Sequence, residues 1–170
     1  MDLRKFIRDV PDFPKKGIIF KDITPLLLNG QAFRFAVKEM LRPYDGERID
    51  KILAVEARGF IFGAPMAYER GCGLIIARKK GKLPWKTVQA SYSLEYGEAS
   101  VEIHQDSIGK GDRILIVDDL IATGGTARAL ASLVEAQGGK VVGFSFLVEL
   151  TFLKGREALG NYRVETIIKY

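Results

Sequence analysis

One cysteine, one histidine and one tryptophan stand among 170 residues, and the first two scarcities each remove a class of chemistry. A lone Cys72 forms no internal disulfide, and with His104 as the single histidine there is no Cys/His set for a zinc site. Neither residue is assigned a role, and the chemistry predicts a protein of the reducing cytoplasm. No stretch approaches the roughly 20 apolar residues of a membrane span. Met1 to Pro14 alternates charged with apolar side chains and lacks an apolar signal core, so a soluble protein with no membrane partner is predicted. Neither G-x-x-x-x-G-K-[ST] nor a G-x-G-x-x-G after a strand occurs, which argues against a triphosphatase or a dehydrogenase. Repeats, linkers and low-complexity tracts are missing as well.

What is present is an ordinary globular composition, 47% hydrophobic and 28% charged, on a chain of one-domain length, residues 1–170. The net charge of +5 suits an anionic ligand, although such an excess by itself mostly aids solubility. The dense cationic run Arg78, Lys79, Lys80 and Lys82 is too short for a nucleic-acid arm and has a glycine inside it. It is a candidate anion site, and no nucleic-acid partner is predicted.

Asp2 to Val10 permits a short amphipathic helix, and Pro11 and Pro14 then force an extended passage into Gly17 to Phe20, a short strand or arm. Phe33, Ala36, Val37, Met40 and Leu41 recur at three-and-four spacing and predict a core-facing helix ending before Pro43. Apolar, β-branched runs at Lys51 to Val55, Leu74 to Ala77, Ile114 to Val117 and Val141 to Val148 predict parallel strands covered on both faces. Helical patterns at Gly59 to Arg70 and Thr126 to Gln137 lie between them, the second striped by Ala127, Leu130, Ala131 and Val134. Such alternation implies right-handed crossovers and an α/β fold. Ala90 to His104 alternates with period two around Gly97 and predicts an antiparallel hairpin, preceded by a basic, mobile loop from Lys80 to Val88.

The segment from Ile114 to Thr126 carries the sharpest chemistry. It sets Asp118 and Asp119 at the C-terminal end of a buried strand and a Thr123-Gly124-Gly125-Thr126 turn at a helix start, where α/β sheets bind ligands. Free backbone N–H groups and the positive end of the helix dipole favour a phosphate there; glycines let the backbone approach, and threonine hydroxyls add donors. Two adjacent carboxylates are acceptors suited to the neighbouring hydroxyls of a ribose. Either feature alone reads equally well as a helix cap by Asp119 or Thr123 and a plain turn. Their conjunction favours a phosphorylated ribose.

Val117-Asp118-Asp119 followed by Ala122-Thr123-Gly124-Gly125-Thr126 resembles the phosphoribosyl pyrophosphate loop of type I phosphoribosyltransferases. Phe13-Pro14, Gly17 to Pro25, Glu56 to Phe60, Arg78 to Pro84, Ser91 to Gly97 and Leu147 to Leu150 further resemble, in order and over nearly the full length, the adenine-specific branch of that family. Trp85 and the tail after Leu150 offer less to compare.

The resemblance implies a mostly parallel sheet flanked by helices, an N-terminal base-binding arm or hood over 1–33 and a flexible lid and hairpin over 80–104. It implies purine salvage: transfer of the phosphoribosyl group from 5-phosphoribosyl-1-pyrophosphate (PRPP) to adenine, giving AMP and pyrophosphate. Magnesium (Mg2+) would be carried by PRPP, with no protein metal ligands, and the protein would be a cytoplasmic homodimer. By the same resemblance Ala122, Thr123, Gly124, Gly125 and Thr126 hold the 5′-phosphate, and Asp118 and Asp119 the ribose hydroxyls. Arg58, Lys79 and Lys82 meet the pyrophosphate, the two lysines reaching the neighbouring subunit's site in a dimer. A cis peptide is implied between Glu56 and Ala57. Phe20 stacks on adenine, the backbone of Ile19 and Lys21 pairs with its edge, and Leu150 closes the other face. Glu95 manages a proton on the base and Tyr96 belongs to the lid. From residues alone the favoured readings are Arg58 as a partner of Glu56, Lys79 and Lys82 as a solvated loop face, Glu95 as a solvated turn charge, and Phe20 and Leu150 as core. Two alternatives remain at this level: transfer to another purine base, or a nucleotide-sensing regulator on the same fold, for which a DNA-binding module finds no room in 170 residues.

Overall fold

The computed structural model describes residues 1–93 and 98–170. The chain enters through a 3-10 turn, Leu3–Phe6, and strand β1 (Arg8–Pro11), which pairs antiparallel with β2 (Ile19–Asp22) in a small separate sheet. A helix is the sequence expectation for 2–10. The ladder prevails because Arg8 to Pro11 find backbone partners on β2, Val10 lying opposite Phe20, and Pro11 bars helical continuation.

Helix α1 (Thr24–Leu28) was not foreseen; α2 (Gly30–Leu41) was, and the Asn29 side chain caps it by accepting from the Ala32 N–H at 2.9 Å. Ala36, Val37, Met40 and Leu41 are buried as the spacing predicts, while Phe33 is half-buried and meets Phe62 edge-on. Tyr44, fully buried, donates its hydroxyl to the Phe144 carbonyl at 2.7 Å and ties the end of this helical region to the sheet.

The main sheet comprises β3 (Lys51–Val55), β4 (Gly73–Lys79), β5 (Thr87–Ser93), β6 (Glu98–His104), β7 (Arg113–Ile121), β8 (Lys140–Glu149) and β9 (Val164–Lys169), in the order β5-β6-β4-β3-β7-β8-β9. The five strands from β4 to β9 in that order are parallel, and the β5–β6 hairpin adds antiparallel to the edge of β4. Helices α3 (Arg58–Arg70) and α4 (Gly125–Ala136) follow β3 and β7. The period of two along β7 divides the core. Ile114 and Ile116 pack with Leu130 and Val134 of α4; Leu115 and Val117 pack with Phe62 and Met66 of α3. This is the predicted α/β architecture, a mostly parallel sheet flanked by helices.

One strand departs from expectation. Leu74 and Ile76 of β4, predicted covered on both faces, remain 41% and 36% exposed, because α3 packs chiefly over β3 and β7. Strand β9 was also unforeseen: its alternation is broken and it follows an irregular segment, Thr151 to Tyr162.

Candidate active site

The carboxyl ends of β3 and β7 meet where an open parallel sheet offers a crevice. Asp118 Oδ1 accepts from the Asp119 N–H at 2.8 Å, and Asp119 is 4% exposed. Arg58, at the first turn of α3, brings Nε to 3.0 Å from Asp119 Oδ2. The N–H is not aimed at that oxygen, which has no hydrogen-bond donor among the described residues. Burial, then the charge of Asp119, pushes the Asp118 carboxyl well above its ordinary value, although it keeps some access to solvent through the cleft. Burial raises Asp119 as well, against the pull of Arg58.

Beyond the acids the chain turns at Gly124, whose φ of +82° suits a residue without Cβ, and α4 begins with no side-chain cap hydrogen bond. The alternative in which Asp119 or Thr123 merely caps this helix is therefore not what is seen. The first-turn N–H groups of α4 and its positive dipole end face a cavity of about 120 Å³ lined by Asp118, Leu120 and the run Ile121 to Ala127. A second cavity of about 180 Å³ shares Val55, Asp118 and Thr126 with it and adds Glu56, Arg78, Lys79 and Tyr92. The turn at the start of α4 and a cation-bearing wall thus adjoin.

The Glu56–Ala57 peptide is cis, as the resemblance implied. Glu56 pairs with Arg78, at 2.5 Å, and not with Arg58. Arg78 also donates to the Lys82 carbonyl at 2.9 Å. Lys79 lines the second cavity, whereas Lys82 is exposed and lines neither. The loop between β4 and β5 is organised by Glu102, 4% exposed, whose Oε1 accepts from the N–H groups of Gly81, Lys82 and Leu83 at 3.0, 3.2 and 3.1 Å. Its Oε2 accepts from the Thr87 hydroxyl at 3.1 Å. Alternation with Val101 and Ile103 makes Glu102 read as solvent-facing; the loop that covers it carries no such signal.

On the arm, Phe20 is half-buried, meets Phe13 edge-on at 5.2 Å and lies 5.1 Å from the Arg58 guanidinium carbon. Arg58 thereby links the arm to the acidic pair. Ile19 is exposed; Lys21 pairs with Asp9 at 2.7 Å and sits over the Tyr170 ring. The Leu150 N–H donates to the Ile121 carbonyl at 3.1 Å, which fastens it beside the 122–126 turn. Glu95 and Tyr96, the proton-handling and lid residues implied by the resemblance, lie outside the described residues.

Comparison with known proteins agrees with this geometry. The family model described as "Phosphoribosyl transferase domain" matches residues 25–168. An adenine phosphoribosyltransferase of Pseudothermotoga lettingae is 56% identical over 170 residues, all of both chains. The crystal structure of adenine phosphoribosyltransferase from Thermoanaerobacter pseudethanolicus superposes with a TM-score of 0.96 at 51% identity, covering 99% of this chain and 98% of that one. The Saccharomyces cerevisiae enzyme, complexed with an imino-altritol bisphosphate and adenine, superposes with a TM-score of 0.92 at 38% identity, covering 98% and 96%. With an uncapped turn at the head of α4, a buried acidic pair and likeness over the full length, the chain belongs to the adenine phosphoribosyltransferase family.

Proposed function

We propose that the chain transfers the phosphoribosyl group of PRPP to adenine, forming AMP and releasing pyrophosphate. The observation that carries this reading is the uncapped start of α4 opening into a cavity beside Asp118. Backbone N–H groups of the turn 122–126 hold the 5′-phosphate, with the Thr123 and Thr126 hydroxyls as further donors. Asp118 and Asp119 accept from the ribose hydroxyls and set negative charge near the carbon that becomes oxocarbenium-like as pyrophosphate departs. Asp119 Oδ2, buried and lacking a donor among the described residues, supports that role because a sugar hydroxyl supplies the missing bond.

Arg58 and Lys79 meet the pyrophosphate, supported by Arg58 at the head of α3 and Lys79 in the second cavity. Lys82 joins them from the same loop. Magnesium would accompany the diphosphate of PRPP and neutralise its charge, with no protein side chain as its ligand. Phe20 stacks on adenine, the backbone of Ile19 and Lys21 reads its edge, and Leu150 covers the opposite face. Glu95, with Tyr96 in the lid, moves the proton on the base and excludes water. The yeast relative's complex with adenine supports the choice of base.

The same reading makes the protein a cytoplasmic homodimer. Support for a dimer comes from the apolar side chains left open on β4 and α3, Leu74, Ile76 and the 89% exposed Tyr68, which a second copy would cover. Among the described residues no helix is long and apolar enough to cross a membrane.

The test is to incubate the protein with magnesium, PRPP and each purine base. Adenine should yield AMP at a rate about 10⁴-fold or more above hypoxanthine, since an oxygen in place of the exocyclic amine leaves buried groups unpaired. Equal or reversed preference would defeat the assignment to adenine.

A further inference from the structure

Beyond Leu150, the segment between β8 and β9 was given no part in the site by the sequence, yet it touches the phosphate turn through bare backbone. Gly155 is buried although Lys154 and Glu157 around it are exposed. A Cβ on Gly155 would stand 2.2 Å from the Ala122 carbonyl oxygen and 2.9 Å from Ile121 Cγ1. Reciprocally, a Cβ on Gly124 would stand 2.3 Å from the Gly155 carbonyl oxygen. Neither glycine has room for a methyl group, so the turn that starts α4 rests on the Gly155 peptide as on a fixed plate.

The next residue holds that plate. Arg156 reaches back to Glu149, the last residue of β8, with Nη2 at 2.9 Å from Oε2 and Nε at 3.3 Å from Oε1. Its Nη1 donates to the Val164 carbonyl on β9 at 2.6 Å. Glu149 is 6% exposed, and its Oε2 also accepts from the Thr166 hydroxyl at 2.8 Å. The guanidinium fork thus joins the ends of β8 and β9 in one planar arrangement, which a point charge does not reproduce. Leu150 follows Glu149 directly, and its N–H is bound to Ile121 at the end of β7.

We propose that Gly155, held by the Arg156–Glu149 pair, positions the phosphate turn 122–126 and so sets affinity for the 5′-phosphate of the sugar. This rests on the reading of that turn as the phosphate cradle. Gly155 and Arg156 touch no substrate; they act through the backbone of Ala122 and Gly124.

Ribose 5-phosphate is titrated calorimetrically into the wild-type protein, Gly155→Ala and Arg156→Lys, with Thr126→Val as a variant inside the cradle itself. Both outer variants should bind about tenfold or more weakly, since misplacement by an ångström costs up to about 10²-fold in well-oriented sites. The KM for PRPP should rise in step, while the KM for adenine at saturating PRPP stays at the wild-type value, a split that general loosening of the fold would not give. Should Gly155→Ala fail to fold, Arg156→Lys decides alone. Wild-type affinity in Arg156→Lys, or in a folded Gly155→Ala, overturns the proposal while Thr126→Val still binds weakly. If Thr126→Val also binds as wild type, the cradle reading falls and this inference falls with it.

Discussion

Arg58 stands between the acidic pair and the N-terminal arm: its Nε is 3.0 Å from Asp119 Oδ2 and its guanidinium carbon 5.1 Å from the centre of the Phe20 ring. One side chain therefore offsets a buried carboxylate and braces the aromatic ring of the N-terminal arm. Removing it leaves the Asp119 charge without its nearest cation.

Arg58→Gln should raise the KM for PRPP about tenfold or more, because it removes the cation proposed to meet the pyrophosphate. The stability loss should be far smaller, about 1 kcal/mol, because the Arg58 side chain is more than a third exposed and solvent screens the pair. Steady-state kinetics beside a urea titration separates the two effects. A stability loss with unchanged KM would make Arg58 a structural residue only.

Asp118 should trade stability for activity. Its folded carboxyl is held well above 3.8, its value in an unfolded chain, by burial and by Asp119. The protonated form is therefore favoured by folding, and ionisation at neutral pH destabilises the fold. Asp118→Asn should melt higher than wild type at neutral pH, the gain shrinking as pH falls through the raised folded value and vanishing below the unfolded one. Turnover should collapse in the same variant, and further with Asp119→Asn. An Asp118→Asn protein that melts lower at neutral pH, or that keeps wild-type kinetics, contradicts the assignment.

Glu102 carries the opposite sign. Burial opposes its ionisation, yet the N–H groups of Leu83, Lys82 and Gly81 and the Thr87 hydroxyl outweigh that and hold it below the ordinary 4.5. Its contribution is present above that unfolded value and is lost as pH falls through the lower folded one. Glu102→Ala should speed hydrogen exchange at the Gly81, Lys82 and Leu83 amides and lower the melting temperature near neutral pH. Exchange as slow as in wild type would show that the loop is held by other contacts.

For Glu95 the expectation comes from resemblance. Glu95→Gln should lower kcat by about 10²-fold or more with an unchanged melting temperature. An unaltered kcat removes it from proton transfer.

Local patterns carried most of what was legible in advance. The four parallel strands, the α4 stripe and the acid-acid-turn segment at 118–126 are each written in consecutive residues, so one window of sequence suffices. What was not legible depends on distant partners. Arg8 to Pro11 became a strand because Ile19 to Asp22 offered a ladder, and Arg58 chose Asp119 over nearby Glu56 because β3 and β7 are neighbours. Gly155 looks like any loop glycine until Ala122 and Gly124 are set against it. Leu74 and Ile76 show the converse: an apolar strand pattern reports burial without saying whether the cover comes from this chain.

Where a nucleotide's phosphate comes to rest is the most direct measurement. In a crystal structure with AMP bound, its phosphoryl oxygens should lie within hydrogen-bond distance of the backbone N–H groups of the 122–126 turn, with the ribose hydroxyls on Asp118 and Asp119. Phosphate seated instead on the lysines of the loop between β4 and β5, with the α4 turn empty, would contradict the assignment.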